Sequence, residues 1–336
     1  MSQKNWNAGI IRPVAVAPAG PFQDGAASGV WTLDQVSYWQ KQGLWPVAGN
    51  SQRGLFIQGA TASGQVNVID YITIASTGNA TDFGDASLKV YISAACASST
   101  RATFAGGTES GSIFSFTNVI EYVTIASVGN ATDFGDLTFG RFGLGGCNSS
   151  TRGVFAGGSA AFDLFNIIDY ITIASTGNAT DFGDLTLARG NLSSCSSSTR
   201  GVFGGGGSSN IIDYITIAST GNATDFGDLI LAQNNFGACS NSTRGIFAGG
   251  ASNVIQYITI ASTGNTTDFG DLLISISGVA GCSNSTRGVF GGGYTTEYVN
   301  TIQYVTIASV GNSTSFGDLT SARGYLAGTS SANGGL

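Results

Sequence analysis

From Arg53 onward one pattern recurs six times: a run such as RGVFGGG, then NIIDYITIASTGNATDFGDLI, then a segment closing on Cys and STR. Self-similarity at this spacing constrains the architecture before any single residue is interpreted. The repeats open at Arg53, Arg101, Arg152, Arg200, Arg244 and Arg287, giving periods of 48, 51, 48, 44 and 43 residues. All of that scatter sits in one spacer, between the glycines that end the first run and the Asn that opens the second. It holds 7, 10, 7, 3, 2 and 6 residues, and removing it leaves 41 each time.

Each unit reads as four short strands: RGVFAGG, NVIDYITIAS, TDFGDLT and a stretch such as NNFGACS. Apolar and β-branched residues fill the runs, and Gly, Asn, Ser and Thr punctuate them. Four strands per period of this length describe a blade of a β-propeller. A stacked solenoid would need polar caps at both ends, and neither end supplies one.

The ends of the array predict a closed ring. The first unit starts at Arg53 without a preceding NNFGACS-type strand, and the chain finishes with GYLAGTSSA, which is that strand. Counting 11 residues from the last Asp of each DFGD-like motif reaches Cys96, Cys147, Cys195, Cys239, Cys282 and finally Thr329. The expected fold is therefore all-β: residues 53–336 form a six-bladed propeller with four-stranded blades, closed by the C-terminal strand so that no sheet edge is left free. The doublet-glycine strand, the DY-containing strand and the DLTLAR-like segment resemble a divergent kelch-type blade, with Phe83, Phe134, Phe182, Phe226, Phe269 and Phe316 in the region where kelch blades carry Trp. That resemblance implies a propeller and no particular function.

Residues 1–52 differ in composition and hold Trp31, Trp39 and Trp45. Thr32 with Gln35 forms a capping box, Leu33, Val36 and Tyr38 or Trp39 a helical stripe, and Gly43 a stop, so a short helix is predicted over 33–42. The preceding IIRPVAVAPAGPF reads as extended. Such an arm is too short for a core of its own, so it is expected to dock on the propeller, on other proteins or on a second copy of the chain. The stretch SGVWTLDQVSYWQKQGLWP followed by YITIASTGNATDFGDLT repeats is similar to virion structural proteins of tailed phages. The resemblance implies a virion component of the fibre or surface-appendage type, assembled in the host cytoplasm, with the arm on other virion proteins and the repeat domain facing a host-surface glycan or protein. Capsid or tail decoration without a host ligand, and lectin-like glycan binding, are the alternative readings.

Composition narrows the chemistry. The chain has no His, which removes the commonest general base and metal ligand, and excludes Ser-His-Asp and Cys-His catalysis. Of 17 Asp, 11 sit in the DFGD motifs and their variant, evenly spread, whereas an active site needs an asymmetric group. The expectation is a non-enzyme without cofactor or metal. A net charge of −7 with three lysines argues against nucleic acid, and no apolar run is long enough to insert in a membrane. The five Cys are expected to be buried free thiols, since a sixth partner is replaced by Thr329.

Three sets of residues are candidates for specific roles. Arg101, Arg152, Arg200, Arg244 and Arg287 are expected to form structural ion pairs with Asp85, Asp136, Asp184, Asp228 and Asp271. Calcium on the NATDFGD oxygens, for example Asn79, Thr81, Asp82 and Asp85, is the rival reading. Asn79, Asn130, Asn178, Asn222, Asn265 and Asn312 lie in N-x-Thr sequons but recur beside Gly, so they read as turn residues. The variable loops carry aromatics that would anchor an interface: Phe114 and Phe116 in 108–117, Phe162 and Phe165 in 159–165, Tyr294 and Tyr298 in 294–299.

Overall fold

The computed structural model describes residues 5–6, 9–10, 52–109 and 115–331. The chain divides into two units, Met1–Ser51 and Gln52–Leu336. In the first, Asn5–Trp6 pairs antiparallel with Gly9–Ile10. The helix expected over 33–42, and Trp31, Trp39 and Trp45 with it, lie outside the described residues.

The second unit is a six-bladed β-propeller of four-stranded antiparallel blades, and its described residues contain no helix. Blade one is assembled from both ends: Ala327–Ser330 is its innermost strand, followed outward by Arg53–Ile57, Val68–Thr73 and Thr81–Asp85. Blade two runs in chain order through Ala94–Ala97, Arg101–Ala105, Val119–Thr124 and Thr132–Asp136. The remaining four repeat that plan. Each innermost strand touches the two beside it, and Ala327–Ser330 closes the circle between Ala280–Ser283 and Ala94–Ala97.

Alternating strand direction sorts the connections onto two faces. Tight turns, joining innermost to second and third to outermost strands, occupy a turn face. The spacers of variable length and the segments leading to the next blade occupy the opposite loop face. Gln52 lies on the turn face, where it accepts from the Ile74 amide at 2.8 Å and from Asn284.

The apolar core lies between blades rather than within them. Phe134, Leu137 and Cys96 of blade two pack with Phe155, Ile171 and Ile173 of blade three, and the same set recurs around the ring. Burying each such side chain stabilises the ring by roughly 1.5–3 kcal/mol. The Phe of every DFGD-like motif is buried against a Tyr of the third strand, as in Tyr122–Phe134 at 6.0 Å between centroids, so it supplies the aromatic that the sequence pattern required.

Polar stitching explains the invariant letters of the repeat. Gly129 and Ala131, in the outer turn of blade two, donate to Phe83 and Asp85 carbonyls of blade one at 2.8 Å, and Asn130 Oδ1 accepts from the Asp85 amide at 3.0 Å. Asn79, Asn178, Asn222, Asn265 and Asn312 make the same clasp at 3.0–3.1 Å. The backbones approach so closely there that a Cβ on Gly84, at φ +142°, would sit 2.5 Å from the Gly129 carbonyl oxygen. The sequons are thus turn residues, as expected, with a further role in joining blades.

A closed hydrogen-bonded ring and an arc of hydroxyl bonds line the axis. On the loop face the amides of Ile92, Gly143, Asn191, Asn235, Gly278 and Tyr325 each donate to the carbonyl of the preceding member, at 2.6–3.2 Å, and Ile92 completes the circle on Tyr325. All six residues have φ between 52° and 69°, the left-handed region. Toward the turn face, Ser196, Ser240, Ser283 and Ser330 hydroxyls donate in succession to the Asn148, Ser196, Ser240 and Ser283 carbonyls. Between the ring and the arc the axis is lined by small residues such as Ala95, Gly146, Ser194, Ala238, Gly281 and Gly328, which leave a cavity of about 90 Å³.

Candidate functional site

The five thiols are free and buried on the innermost strands. Each points at the next blade: a Cβ on Gly153 would meet Cys96 Sγ, and Gly201, Gly245, Gly288 and Gly54 stand likewise against Cys147, Cys195, Cys239 and Cys282. Where Thr329 replaces Cys, the next blade carries Ala102 in place of Gly. Burial pushes the Cys96 thiol up to about 12 and raises the other four as well. These groups are packing elements, with no thiolate available near neutral pH.

The expected pairs of Arg101, Arg152, Arg200, Arg244 and Arg287 with Asp85, Asp136, Asp184, Asp228 and Asp271 do not form. Each of these arginines sits on a second strand, and its guanidinium stacks on the third-strand Tyr of its own blade, 4.2–4.8 Å from the ring centre. Its Nη1 then donates across the junction to a carbonyl of the next blade, as from Arg101 to Ile173 at 3.0 Å and from Arg200 to Ile260 at 2.8 Å. The DFGD acids lie two strands further out, at the rim, with the third strand between. Among the described residues no group of three or more His, Cys, Asp or Glu is arranged to hold a metal.

The ion pairs that do form were missed by sequence reasoning. Asp70, Asp169 and Asp213, the acids of the DY strands, are fully buried and meet Arg323, Arg141 and Arg189 of the preceding blades at 2.9–3.0 Å. Asp169 also accepts from the Thr138 hydroxyl at 2.6 Å, and Arg141 Nε donates to the Gly157 carbonyl at 2.8 Å. Burial lowers the affinity of these guanidinium groups for their protons, and the facing carboxylate partly restores it. The signal was present in the letters. Where the last residue of DLTLAR-like segments is Arg, the next blade carries Asp; Gln233 faces Gln256 at 2.8 Å; Val90 and Ile276 precede blades with Glu121 and Gln303. The buried acids are therefore consumed in joining blades.

Exposed apolar side chains concentrate on the loop face. Among the described residues nine of the 11 exposed large hydrophobics are in its segments, including Phe162 at 82%, Phe139 at 43% and Tyr294 at 37% exposure. Two ring clusters stand out. Phe116 and Phe165, from the spacers of blades two and three, are joined through Phe139, which lies 6.2 and 5.2 Å from them by ring centroids. Tyr294 and Tyr298 approach at 5.1 Å, and Tyr325 and Tyr91 at 6.2 Å; burial and the proximity of Tyr325, Tyr294 and Tyr91 raise the Tyr298 hydroxyl above its ordinary value.

Of the six loop residues singled out in the sequence, the structure thus brings Phe116 near Phe165 and Tyr294 against Tyr298. Phe162 lies on the tip of the hairpin formed by Ser159–Ala160 and Asp163–Leu164, and Phe114 lies outside the described residues. Phe139, Tyr91 and Tyr325, which complete the clusters, sit in the segments between blades rather than in the variable spacers. No protein-family model matches the chain, and no curated protein matches its sequence.

Proposed function

We propose that this chain is a non-enzymatic virion structural protein, a fibre-type or surface-appendage component that uses its loop face to bind a host surface or another virion protein. The observation that carries the reading is the gathering of aromatic side chains from separate blades into two clusters on one face of a ring stitched at every junction. Rigid display of exposed aromatics suits an interface, because such anchors lose little freedom on binding. The buried carboxylates of Asp70, Asp169 and Asp213 are engaged between blades, which fits a scaffold better than a reaction centre.

The test compares fluorescently labelled protein with a variant whose 108–117 loop is replaced by Gly-Ser and a variant bearing Phe139→Ser, on intact bacterial cells and on purified phage particles stripped of the protein. Saturable cell binding that both variants lose is the expected result. Binding to particles alone, abolished by the same changes, makes the protein a decoration or assembly element and removes the host from the proposal. Folded protein that binds neither overturns it.

A further inference from the structure

The tyrosine cluster beside the axis has features that the phenylalanine cluster lacks. Its four rings come from three segments: Tyr294 and Tyr298 from the spacer of blade six, Tyr325 from the entry to blade one, Tyr91 from the entry to blade two. Tyr325 belongs to the hydrogen-bonded ring that closes the axis, so its backbone is fixed, and Tyr91 directly precedes another member, Ile92. Tyr325 packs against Gly278, whose neighbour Ser277 pairs with Tyr294, so the two ring pairs adjoin. Among the described residues the hydroxyls of these tyrosines make no hydrogen bond, so four amphipathic rings present their O–H groups at one place, half-buried or exposed, on the face proposed for binding.

The backbone at two of the four is already engaged. Tyr294 exchanges both of its hydrogen bonds with Ser277, at 2.8 and 3.0 Å, and Tyr91 exchanges both with Thr108, at 3.1 and 3.2 Å. A strand added at either residue would find no free amide or carbonyl there. Charge disfavours an anionic ligand, since the flanking segments carry one Lys89 against Glu109 and Glu297. What is left is recognition through phenol hydroxyls and ring C–H and π surfaces. That combination complements a ligand with hydroxyls on its edges and C–H groups on its faces.

We infer that Tyr91, Tyr294, Tyr298 and Tyr325 form a single binding site for a neutral pyranose, the ring stacking on a tyrosine while its hydroxyls bond the surrounding phenols. This deepens the loop-face reading above and rests on it for its biological setting, though the site stands on its own geometry. One site per chain follows, because the other blades carry Phe142, Gly190, Asn234 and Ser277 where Tyr91 stands, and Gly143, Asn191, Asn235 and Gly278 where Tyr325 stands.

Saturation-transfer NMR on the full chain, with the methyl glycosides of glucose, galactose and mannose as probes, tests the inference. At least one is expected to bind with millimolar affinity, and Tyr298→Phe and Tyr294→Phe, which keep the rings and the fold, are expected to weaken it about fivefold to tenfold each. No transfer from folded protein to any of the three overturns the site. So does binding that both Phe variants leave unchanged. The same variants on intact cells separate the two proposals: cell binding without sugar binding removes the saccharide site and keeps the loop-face reading, while sugar binding without cell binding keeps the site and removes the appendage role.

Discussion

Raising the pH from 8 to 10 is expected to weaken the propeller through its thiols. An unfolded thiol ionises near 9, whereas Cys96 in the fold is held up at about 12 by burial, and the other four are raised by the same cause. Above pH 9 the unfolded chain therefore sheds protons that the folded chain keeps, and stability must fall as pH rises until the folded value is reached. Between pH 8 and 10 each thiol contributes a loss of roughly 1 kcal/mol, so the five together remove several kcal/mol. That is comparable to the whole stability of an ordinary domain. The assay is urea unfolding under reducing conditions at pH 8, 9 and 10, for the wild type and Cys96→Ala. Tyr and Lys titrations are common to both proteins, so the difference between them isolates one thiol. The variant starts less stable because Cys96 packs against Gly153, but its deficit is expected to shrink by roughly 1 kcal/mol across the range. A deficit that stays constant refutes the burial argument, as does rapid reaction of all five thiols with an aromatic disulfide in native protein at pH 8.

Two further outcomes follow from the blade junctions. Asp169→Ala is expected to cost about 3–5 kcal/mol, because it strands the buried Arg141 guanidinium, while Asp169→Leu combined with Arg141→Met recovers most of that; denaturant melts that show the single change to be mild would refute the assignment. Arg200→Ala is expected to cost about 1–2 kcal/mol through loss of its contact with Tyr214 and its bond to Ile260. That cost stays the same in an Asp181→Asn, Asp184→Asn background, and a smaller cost there would revive the ion pair with the rim acids.

The architecture was legible because the same physical demand is met six times. Strand period, closing strand and free cysteines all follow from positions that repeat, and chance similarity cannot survive six copies. The pairing of charges was less legible. Arg200 and Asp184 both recur in nearly every unit, which made them natural partners, yet recurrence says only that each is needed, not that each needs the other. Asp169 and Arg141 vary together across junctions, from Arg and Asp to Gln233 and Gln256, and that joint variation is the mark of contact. The loop aromatics were half legible: Phe116, Phe165, Tyr294 and Tyr298 lie in spacers whose length varies, but Phe139, Tyr91 and Tyr325 lie in segments of constant length and gave no such signal.

The reason those last three could differ from their counterparts lies in how the axis is closed. The ring on the loop face uses only amides and carbonyls, held in left-handed geometry by every blade, so no side chain carries its bonds, although that geometry costs Ile92 and Tyr325 some backbone strain. Ile92, Gly143, Asn191, Asn235, Gly278 and Tyr325 occupy equivalent places and share no chemistry beyond the backbone. The clasps on the turn side do the opposite: Asn, Gly and Ser side chains or their absence carry the bonds, and there the letters hardly change. A propeller built this way confines sequence freedom to one face. A single asymmetric site can arise at Tyr91 and Tyr325 at the cost of one strained residue, since the substitutions that create it leave each backbone hydrogen bond where it was. The same accounting says why a site spanning the turn face would be costly, because replacing Asn222 or Gly183 there opens the contact between two blades.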